Sequence, residues 1–203
     1  MYARVAAFEQ PDASVVDRLI DTVRERSQSA RAELPDAQAF LMLVDRENAR
    51  SLGITFFENQ EAIRQAEPAF ERMGNEIPEK TRGRRTSVEV YEVVRQEGGD
   101  GAKAARVSSF EGQPDKIDEG IRQAEQDVLP QARQLPGWKG YYWLADRSSG
   151  RAKLITLFDS VDAVRASEQQ ASELRRQSAE AAGETITGVE RYEVAISEQP
   201  TPR

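Results

Sequence analysis

The 203-residue chain contains neither cysteine nor histidine. Without cysteine there are no disulfides, thiolate metal ligands or cysteine nucleophiles. Without histidine the commonest general base and metal ligand is missing, and Ser-His-Asp catalysis and the usual proximal haem ligand are excluded with it. A metal site would have to be built from carboxylates, and no acidic spacing typical of a calcium loop is present. The sequence therefore predicts a protein that uses no cofactor and no metal.

Long hydrophobic runs and a basic charge balance are also missing. The chain is 38% hydrophobic and 31% charged, with a net charge of −7, which indicates a globular protein that neither spans a membrane nor binds nucleic acid. The N-terminus, MYARVAAFEQ, alternates like a strand and lacks the basic and apolar blocks of a secretory signal. We therefore expect a cytoplasmic protein.

One basic cluster, KTRGRR from Lys80 to Arg85, has no counterpart in the second half of the chain. We interpret it as a solvated loop, with contact to an anion or a partner as the alternative.

The chain repeats itself once. ARVAAFE (Ala3–Glu9) recurs as ARVSSFE (Ala105–Glu111), and SVEVYEVV, which begins at Ser87, recurs as GVERYEVA, which begins at Gly188. A repeat of this length is a small domain rather than a solenoid unit. We predict a first domain over residues 1–95, a glycine-rich linker over 96–103, a second domain over 104–197 and a flexible tail over 198–203.

Each copy has the βαββαβ order of a ferredoxin-like unit. Alternating apolar residues predict strands over 2–9, 37–45 and 52–58 in the first copy and over 103–111, 138–146 and 152–158 in the second, and the repeated phrase forms the last strand. We predict that Asp12 and Asp115 cap the first helix of each copy and that the second helix begins at Asn59 or Ser160.

The second strand of each copy, within AFLMLV and GYYWLA, is apolar on both alternating faces. Because a strand half exposed to water alternates with polar residues, each of these strands needs cover on both sides. We predict an α+β fold in which the two ferredoxin-like repeats pack sheet to sheet as an intramolecular dimeric α/β barrel. Phe40 and Met42 would then meet Tyr141 and Trp143 across the interface. Further association of this pseudo-dimer is left open.

On these features the chain resembles the dimeric α+β barrel superfamily, particularly proteins similar to antibiotic-biosynthesis monooxygenases. The resemblance rests on the βαββαβ order, LPGWKGYYWLADRSSG (Leu135–Gly150), ITLFDS (Ile155–Ser160) and VERYEV (Val189–Val194). It implies binding of small apolar or aromatic molecules in the barrel. Some members oxidise aromatic polyketides without a cofactor, and others bind or degrade haem. The haem-degrading members use a helical histidine that this chain lacks, and no catalytic residue carries over by position.

Arginines recur at one place on the first strand of each copy. Arg4 shares a face with Phe8, as Arg106 does with Phe110. A partly buried arginine on an aromatic face is suited to anchor an anionic or enol group of a ligand. The alternative is an ion pair with a carboxylate of the neighbouring last strand, for which the candidates are Glu92 and Glu193.

The aromatic residues of the second strands are candidates to line a ligand pocket, with plain core filling as the alternative. Because Phe40 and Met42 are replaced by Tyr141 and Trp143, two pseudo-equivalent cavities should differ in volume and polarity. The full set of candidate ligand-binding residues is Arg4, Phe8, Phe40, Met42, Arg106, Phe110, Tyr141 and Trp143.

Three hypotheses for the function remain open, and with them whether the protein is an enzyme. The first is binding of a small hydrophobic or aromatic molecule between the two sheets. The second is a cofactor-independent monooxygenase acting on an aromatic or polyketide-like substrate. The third is a structural or interaction protein with a filled barrel and no ligand. A cavity of roughly a few hundred cubic ångströms is required by the first two.

Overall fold

A computed structural model describes residues 1–198 of the chain. The first half contains β1 (Tyr2–Glu9), α1 (Val16–Glu33), β2 (Ala37–Asp45), β3 (Arg50–Phe57), α2 (Gln60–Glu76), α3 (Glu79–Arg82) and β4 (Arg84–Gly98). The second half contains β5 (Ala104–Glu111), α4 (Ile117–Gln123), α5 (Leu129–Ala132), β6 (Trp138–Asp146), β7 (Arg151–Phe158), α6 (Val161–Ala166), α7 (Glu168–Ala182) and β8 (Thr185–Glu198).

Hydrogen bonds join the strands in the order β1-β3-β2-β8-β5-β7-β6-β4, which closes into a barrel. The predicted α+β fold of tandem βαββαβ repeats is confirmed. Strands β1, β2 and β6 have the predicted bounds, and the other predicted strands differ at their ends by a residue or two. None of the helices within residues 1–198 is both long and apolar enough to span a bilayer.

One of the two predicted helix caps, Asp12, is observed, and α2 and α6 begin one residue after the predicted starts Asn59 and Ser160, which are their caps. Asn59 and Ser160 accept hydrogen bonds from the backbone N–H groups of Ala62 and Ala163, three residues further along the chain, and Asp12 caps a 3-10 turn (Ala13–Val15) that leads into α1. The prediction for Asp115 is wrong, because this residue lies inside a second 3-10 turn, Pro114–Lys116. Proline fixes its own φ near the helical value, and the turn therefore begins at Pro114, one residue earlier.

The chain divides into two compact units, and the division falls inside strands rather than in the predicted linker. The first unit is Met1–Val90 with the segment from Val194 onward, and the second is Tyr91–Glu193. Residues 96–98 of the predicted linker belong to β4, and residues 199–203 of the predicted tail lie outside the described residues. Long closing strands explain the difference: Val94 packs in the core of the second unit and Ile196 in that of the first.

In the first unit, both faces of β2 are buried, as the doubly apolar sequence predicts. Leu41 and Leu43 are buried on one face. On the other face Phe40 and Met42 pack with Val44 against α1, whose contributing residues are Val16, Leu19 and Ile20.

In the second unit, Trp143 packs with Ile117 and Ile121 of α4. The prediction that Phe40 and Met42 meet Tyr141 and Trp143 across an interface is therefore wrong, because Phe40, Met42 and Trp143 each pack against the first helix of their own unit. A strand that is apolar on both faces does not reveal which face its helices will cover.

The helices of the two units differ in continuity. Helix α1 is unbroken, whereas its counterpart is divided into α4 and α5 by a π-helical turn, Ala124–Val128, just before Pro130. Helix α2 continues through Pro68, whereas its counterpart is interrupted at Ser167 between α6 and α7. Because of these interruptions, different side chains lie over the helix-covered face of the sheet in the two units.

Candidate ligand-binding site

A cavity of about 610 Å³ lies in the first unit, between the sheet and helices α1 and α2. Its volume is within the range of roughly 300–1,000 Å³ that accommodates small molecules. All lining residues belong to the first unit, and most of those deep in the cavity are apolar, including Phe8, Leu19, Phe40, Phe70 and Met73. The predicted location between two sheets therefore differs from that of the observed cavity, which is enclosed by a single sheet and its own helices.

The floor of this cavity follows three rows of side chains that cross β1, β3 and β2, and every residue of these rows except Val44 lines the cavity. Backbone pairing defines the rows, because residues opposite each other on antiparallel strands share a face. In order across the three strands, the rows are Arg4–Thr55–Phe40, Ala6–Gly53–Met42 and Phe8–Ser51–Val44. The middle row has the smallest side chains on β1 and β3, and the hollow therefore lies over it.

Gly53 is the centre of that hollow. Its φ is not left-handed, so the position does not require glycine for backbone reasons. A Cβ atom built there would lie 3.7 Å from the Phe40 Cε2 atom, an ordinary contact distance. Glycine at this position therefore leaves space that a larger side chain would occupy without a clash.

Arg4 lies at one end of the floor and is held by an ion pair. Its Nε and Nη2 atoms donate to the two carboxylate oxygens of Glu67 at 2.8 and 3.0 Å, and its Cζ atom lies 4.0 Å from the centre of the Phe70 ring. Only 5% of the Arg4 side chain is exposed. Bidentate pairing and stacking on an aromatic face fix the guanidinium in one orientation. The predicted partner on the last strand, Glu92, is wrong, because Arg4 points toward the helices and is met by Glu67 of α2.

The equivalent positions in the second unit carry larger side chains. Its corresponding rows are Arg106–Thr156–Tyr141, Ser108–Leu154–Trp143 and Phe110–Ala152–Ala145. The middle row thus has leucine in place of Gly53 and tryptophan in place of Met42. Leu154 packs against Phe110, and Trp143 packs against α4. The prediction of unequal cavities agrees with these two replacements.

A third difference between the two units lies on the second long helix of each. Gly74 of α2 corresponds to Arg175 of α7, whose side chain is buried in the second unit and donates to Glu168 at 2.7 Å. Arg106 donates to the same carboxylate, at 3.1 Å from its Nε, so the predicted partner Glu193 is also wrong. Because the helix is interrupted at Ser167, the carbonyl of Val164 is free to accept a further bond from Arg106 at 2.6 Å.

Burial of the Arg106 guanidinium lowers its pKa to about 10, and the charge of Arg175 acts in the same direction, while Glu168 opposes both. Burial also disfavours ionisation of Glu168, but the bond from Arg175 and the charge of Arg106 outweigh this effect and lower the pKa of its carboxyl. The second unit thus has, beside its sheet, two buried arginines that share one carboxylate.

The eight sequence-predicted residues separate by unit. Arg4, Phe8, Phe40 and Met42 line the cavity. Their counterparts in the second unit, Arg106, Phe110, Tyr141 and Trp143, lie on the matching face of a sheet whose helix side is filled. Participation of any of these residues in binding stays a prediction.

Most of the lining was not identified from the sequence, and three of the residues missed are Gly53, Gly74 and Arg82. The sequence does contain a signal for the two glycines, because the equivalent positions of the other repeat hold large residues, Leu154 and Arg175. Arg82 belongs to the basic cluster interpreted as a solvated loop, and its position in the cavity depends on the short helix α3. Among residues 1–198, no group of three or more acidic side chains is arranged to hold a metal ion.

Comparison with known proteins supports the fold and leaves the activity open. No protein-family model matches the chain. The uncharacterized protein Rv2557 of Mycobacterium tuberculosis (strain ATCC 25618 / H37Rv) is 28% identical over 207 residues, covering 100% of this chain and 91% of its own.

Two solved structures are similar over most of their length. An anthrone oxidase-like protein has a TM-score of 0.70 at 14% identity, covering 97% of this chain and 92% of that one. A ferredoxin-fold protein related to antibiotic biosynthesis monooxygenases, from Listeria monocytogenes 4b F2365, has a TM-score of 0.55 at 10% identity, with coverage of 95% and 94%. The chain therefore has the dimeric α+β barrel fold of the antibiotic-biosynthesis-monooxygenase-like proteins, built here by tandem duplication.

Proposed function

We propose that the first unit binds one small apolar or aromatic molecule per chain in the cavity between its sheet and its helices. The observation that carries the proposal is the middle row of the floor, Ala6–Gly53–Met42, which leaves a hollow of ligand size in one unit while Ser108–Leu154–Trp143 fills it in the other. Aromatic side chains around the hollow favour a flat apolar ligand.

The proposal is tested with the neutral fluorescent probe N-phenyl-1-naphthylamine. Wild-type protein should bind one probe per chain. The double variant Met42→Trp, Gly53→Leu introduces the two large side chains of the second unit's middle row and should weaken binding at least about 10-fold, because a well-filled site lacks the free volume the probe needs. Gly188→Leu is the matched control: it makes the same glycine-to-leucine change on a strand of the second unit and should bind like wild type.

Two results would refute the proposal. One is a wild-type protein that does not bind the probe. The other is a double variant that binds as tightly as wild type while its unfolding transition remains intact.

A second candidate function is oxygenation of the bound molecule without a cofactor. It is favoured by the likeness to an anthrone oxidase-like protein and by the buried Arg4–Thr55 pair beside the hollow. In such a reaction anthrone and O₂ give anthraquinone and water, so the substrate supplies all the electrons. Oxygen uptake with anthrone that is present in wild type and absent in the double variant would support this function, and equal uptake in both would reject it.

A further inference from the structure

The charged residues that line the cavity form ion pairs with one exception. Five arginines line it, and four of them are paired with carboxylates within the described residues: Arg4, Arg26, Arg31 and Arg85. The carboxylates that line it are likewise each paired with an arginine; they are Glu33, Glu71, Glu76 and Glu198. Arg82 alone of these cations has no carboxylate partner in residues 1–198.

The guanidinium of Arg82 is incompletely satisfied. One Nη1 hydrogen is donated to the backbone carbonyl of Gly74, while the Nε atom is buried without a hydrogen-bond partner. A carbonyl oxygen accepts a hydrogen bond but does not neutralise a positive charge. A ligand in the cavity would therefore meet the terminal nitrogens of Arg82, which belongs to the lining, rather than the buried Nε.

The fold fixes where this cation stands. The Arg82 carbonyl accepts a hydrogen bond of 3.2 Å from the Gln10 amide, which also donates to Ser51 in the third row of the floor at 2.8 Å. Arg4 stands in the first row of the floor and Phe8 in the third. The two ends of the floor are therefore four residues, or roughly 13 Å, apart along β1. The absence of a side chain at Gly74 leaves the space for Arg82, since a Cβ there would lie 3.0 Å from Nη1.

Neighbouring groups do not cancel the charge of Arg82. Arg4 is bound bidentately to Glu67, and Arg85 donates to Glu71 at 2.7 Å. The pKa of the Glu71 carboxyl is lowered chiefly by its bond from Arg85, and the charges of Arg4 and Arg82 add only smaller effects. One net positive charge therefore remains here, because the guanidiniums of Arg4, Arg82 and Arg85 are accompanied by only two carboxylates, those of Glu67 and Glu71.

We infer that the ligand of this cavity is an apolar or aromatic molecule with a single ionised acidic group, and that Arg82 recognises this group. The inference rests on the proposed function, since it concerns the same cavity. The apolar body of the ligand lies over the hollow at Gly53, and its acidic group accepts hydrogen bonds from Arg82 and replaces the missing counter-charge. The basic cluster around Arg82 has no counterpart in the second half, where the cavity is filled.

The test compares two probes that share one ring system. N-phenyl-1-naphthylamine is neutral, and 8-anilinonaphthalene-1-sulfonate is the same molecule with a sulfonate. Both are titrated into wild type, Arg82→Gln, Arg82→Lys and Arg84→Gln. Arg82→Gln should weaken binding of the sulfonate about 10-fold or more, as expected for a lost hydrogen bond to a charged group, and leave the neutral probe unchanged.

The other variants serve as controls. Arg82→Lys keeps the charge and should recover part of the affinity for the sulfonate. Arg84→Gln removes a cation of the same basic cluster that lies outside the cavity lining and is paired with Glu9, so binding of both probes should match wild type.

The outcomes separate the two ideas. If the neutral probe does not bind, or is unaffected by the Met42→Trp, Gly53→Leu change, the proposed function fails and this inference fails with it. If the neutral probe binds in the cavity but Arg82→Gln does not weaken the sulfonate, only the inference is overturned. Equal weakening of both probes by Arg82→Gln also overturns it, because Arg82 would then shape the cavity rather than recognise charge.

Discussion

Replacing Gly53 by leucine should stabilise the protein while it closes the cavity. Burying a leucine side chain contributes about 1.5–3 kcal/mol. Removing glycine from the unfolded chain contributes about 0.4–1 kcal/mol where the native φ suits other residues, as it does here. Fixing the leucine rotamer costs about 0.5–1 kcal/mol. We therefore expect the free energy of unfolding to rise by about 2 kcal/mol.

This estimate depends on the room above Gly53. The nearest heavy atom to a built Cβ is Phe40 Cε2 at 3.7 Å, and the cavity beyond it is about 610 Å³. A leucine therefore extends into empty space and makes new contacts without displacing the sheet. In a closely packed interior the same insertion would instead cost about 1–3 kcal/mol. The sign of the change thus reports whether the cavity is present.

Urea unfolding followed by circular dichroism measures the effect. The midpoint should move up at an unchanged slope, and the melting temperature should rise by about 2–4 °C for each kcal/mol in a chain of this size. Gly188→Leu is the control, with an expected change within about 0.5 kcal/mol at its half-buried position. A destabilised Gly53→Leu protein would refute the reasoning, since it would mean that the space over Gly53 is occupied.

Two further predictions concern charged groups. Glu67→Gln should lower the free energy of unfolding by about 1–2 kcal/mol because it removes the charge partner of buried Arg4; a double-mutant cycle with Arg4→Met should give a positive coupling energy, and additive effects would contradict the pairing. Burial raises the pKa of Glu184, so its ionised form destabilises the folded state. Glu184→Gln should therefore raise the urea midpoint at pH 7, and the gain should fade as the pH falls toward 4, where the carboxyl is protonated in both states. A gain that is equal at the two pH values would contradict this.

The fold could be predicted from the sequence because its signals are local and occur twice. Alternation of apolar residues located the strands, and capping residues such as Asn59 and Ser160 located helix starts. What alternation could not supply was the face of β2 that the helices cover. Since AFLMLV is apolar on both faces, the pattern left two equivalent assignments, and the one chosen for Phe40 and Met42 was wrong.

The same ambiguity explains why the partners predicted for the two first-strand arginines were wrong. A cross-strand partner was expected for Arg4 and Arg106 because the order of strands in the sheet was known. The arginines instead project from the helix-covered face, where Glu67 and Glu168 are available. The two halves retain both the arginine and the glutamate, a correspondence that was present in the sequence and that the strand-based argument did not use.

Duplication gives the simplest physical account of why one unit is hollow and the other filled. In a symmetric homodimer a single sequence must serve both copies, so any side chain that fills one cavity fills both. In a tandem chain the copies vary independently: Leu154, Trp143 and Arg175 bury additional surface in the second unit, while Gly53, Met42 and Gly74 keep the first one open. An open cavity forgoes packing contacts that would stabilise the fold. Glycine at position 53, where the second copy has Leu154, therefore argues that the space in the first unit is there to be occupied.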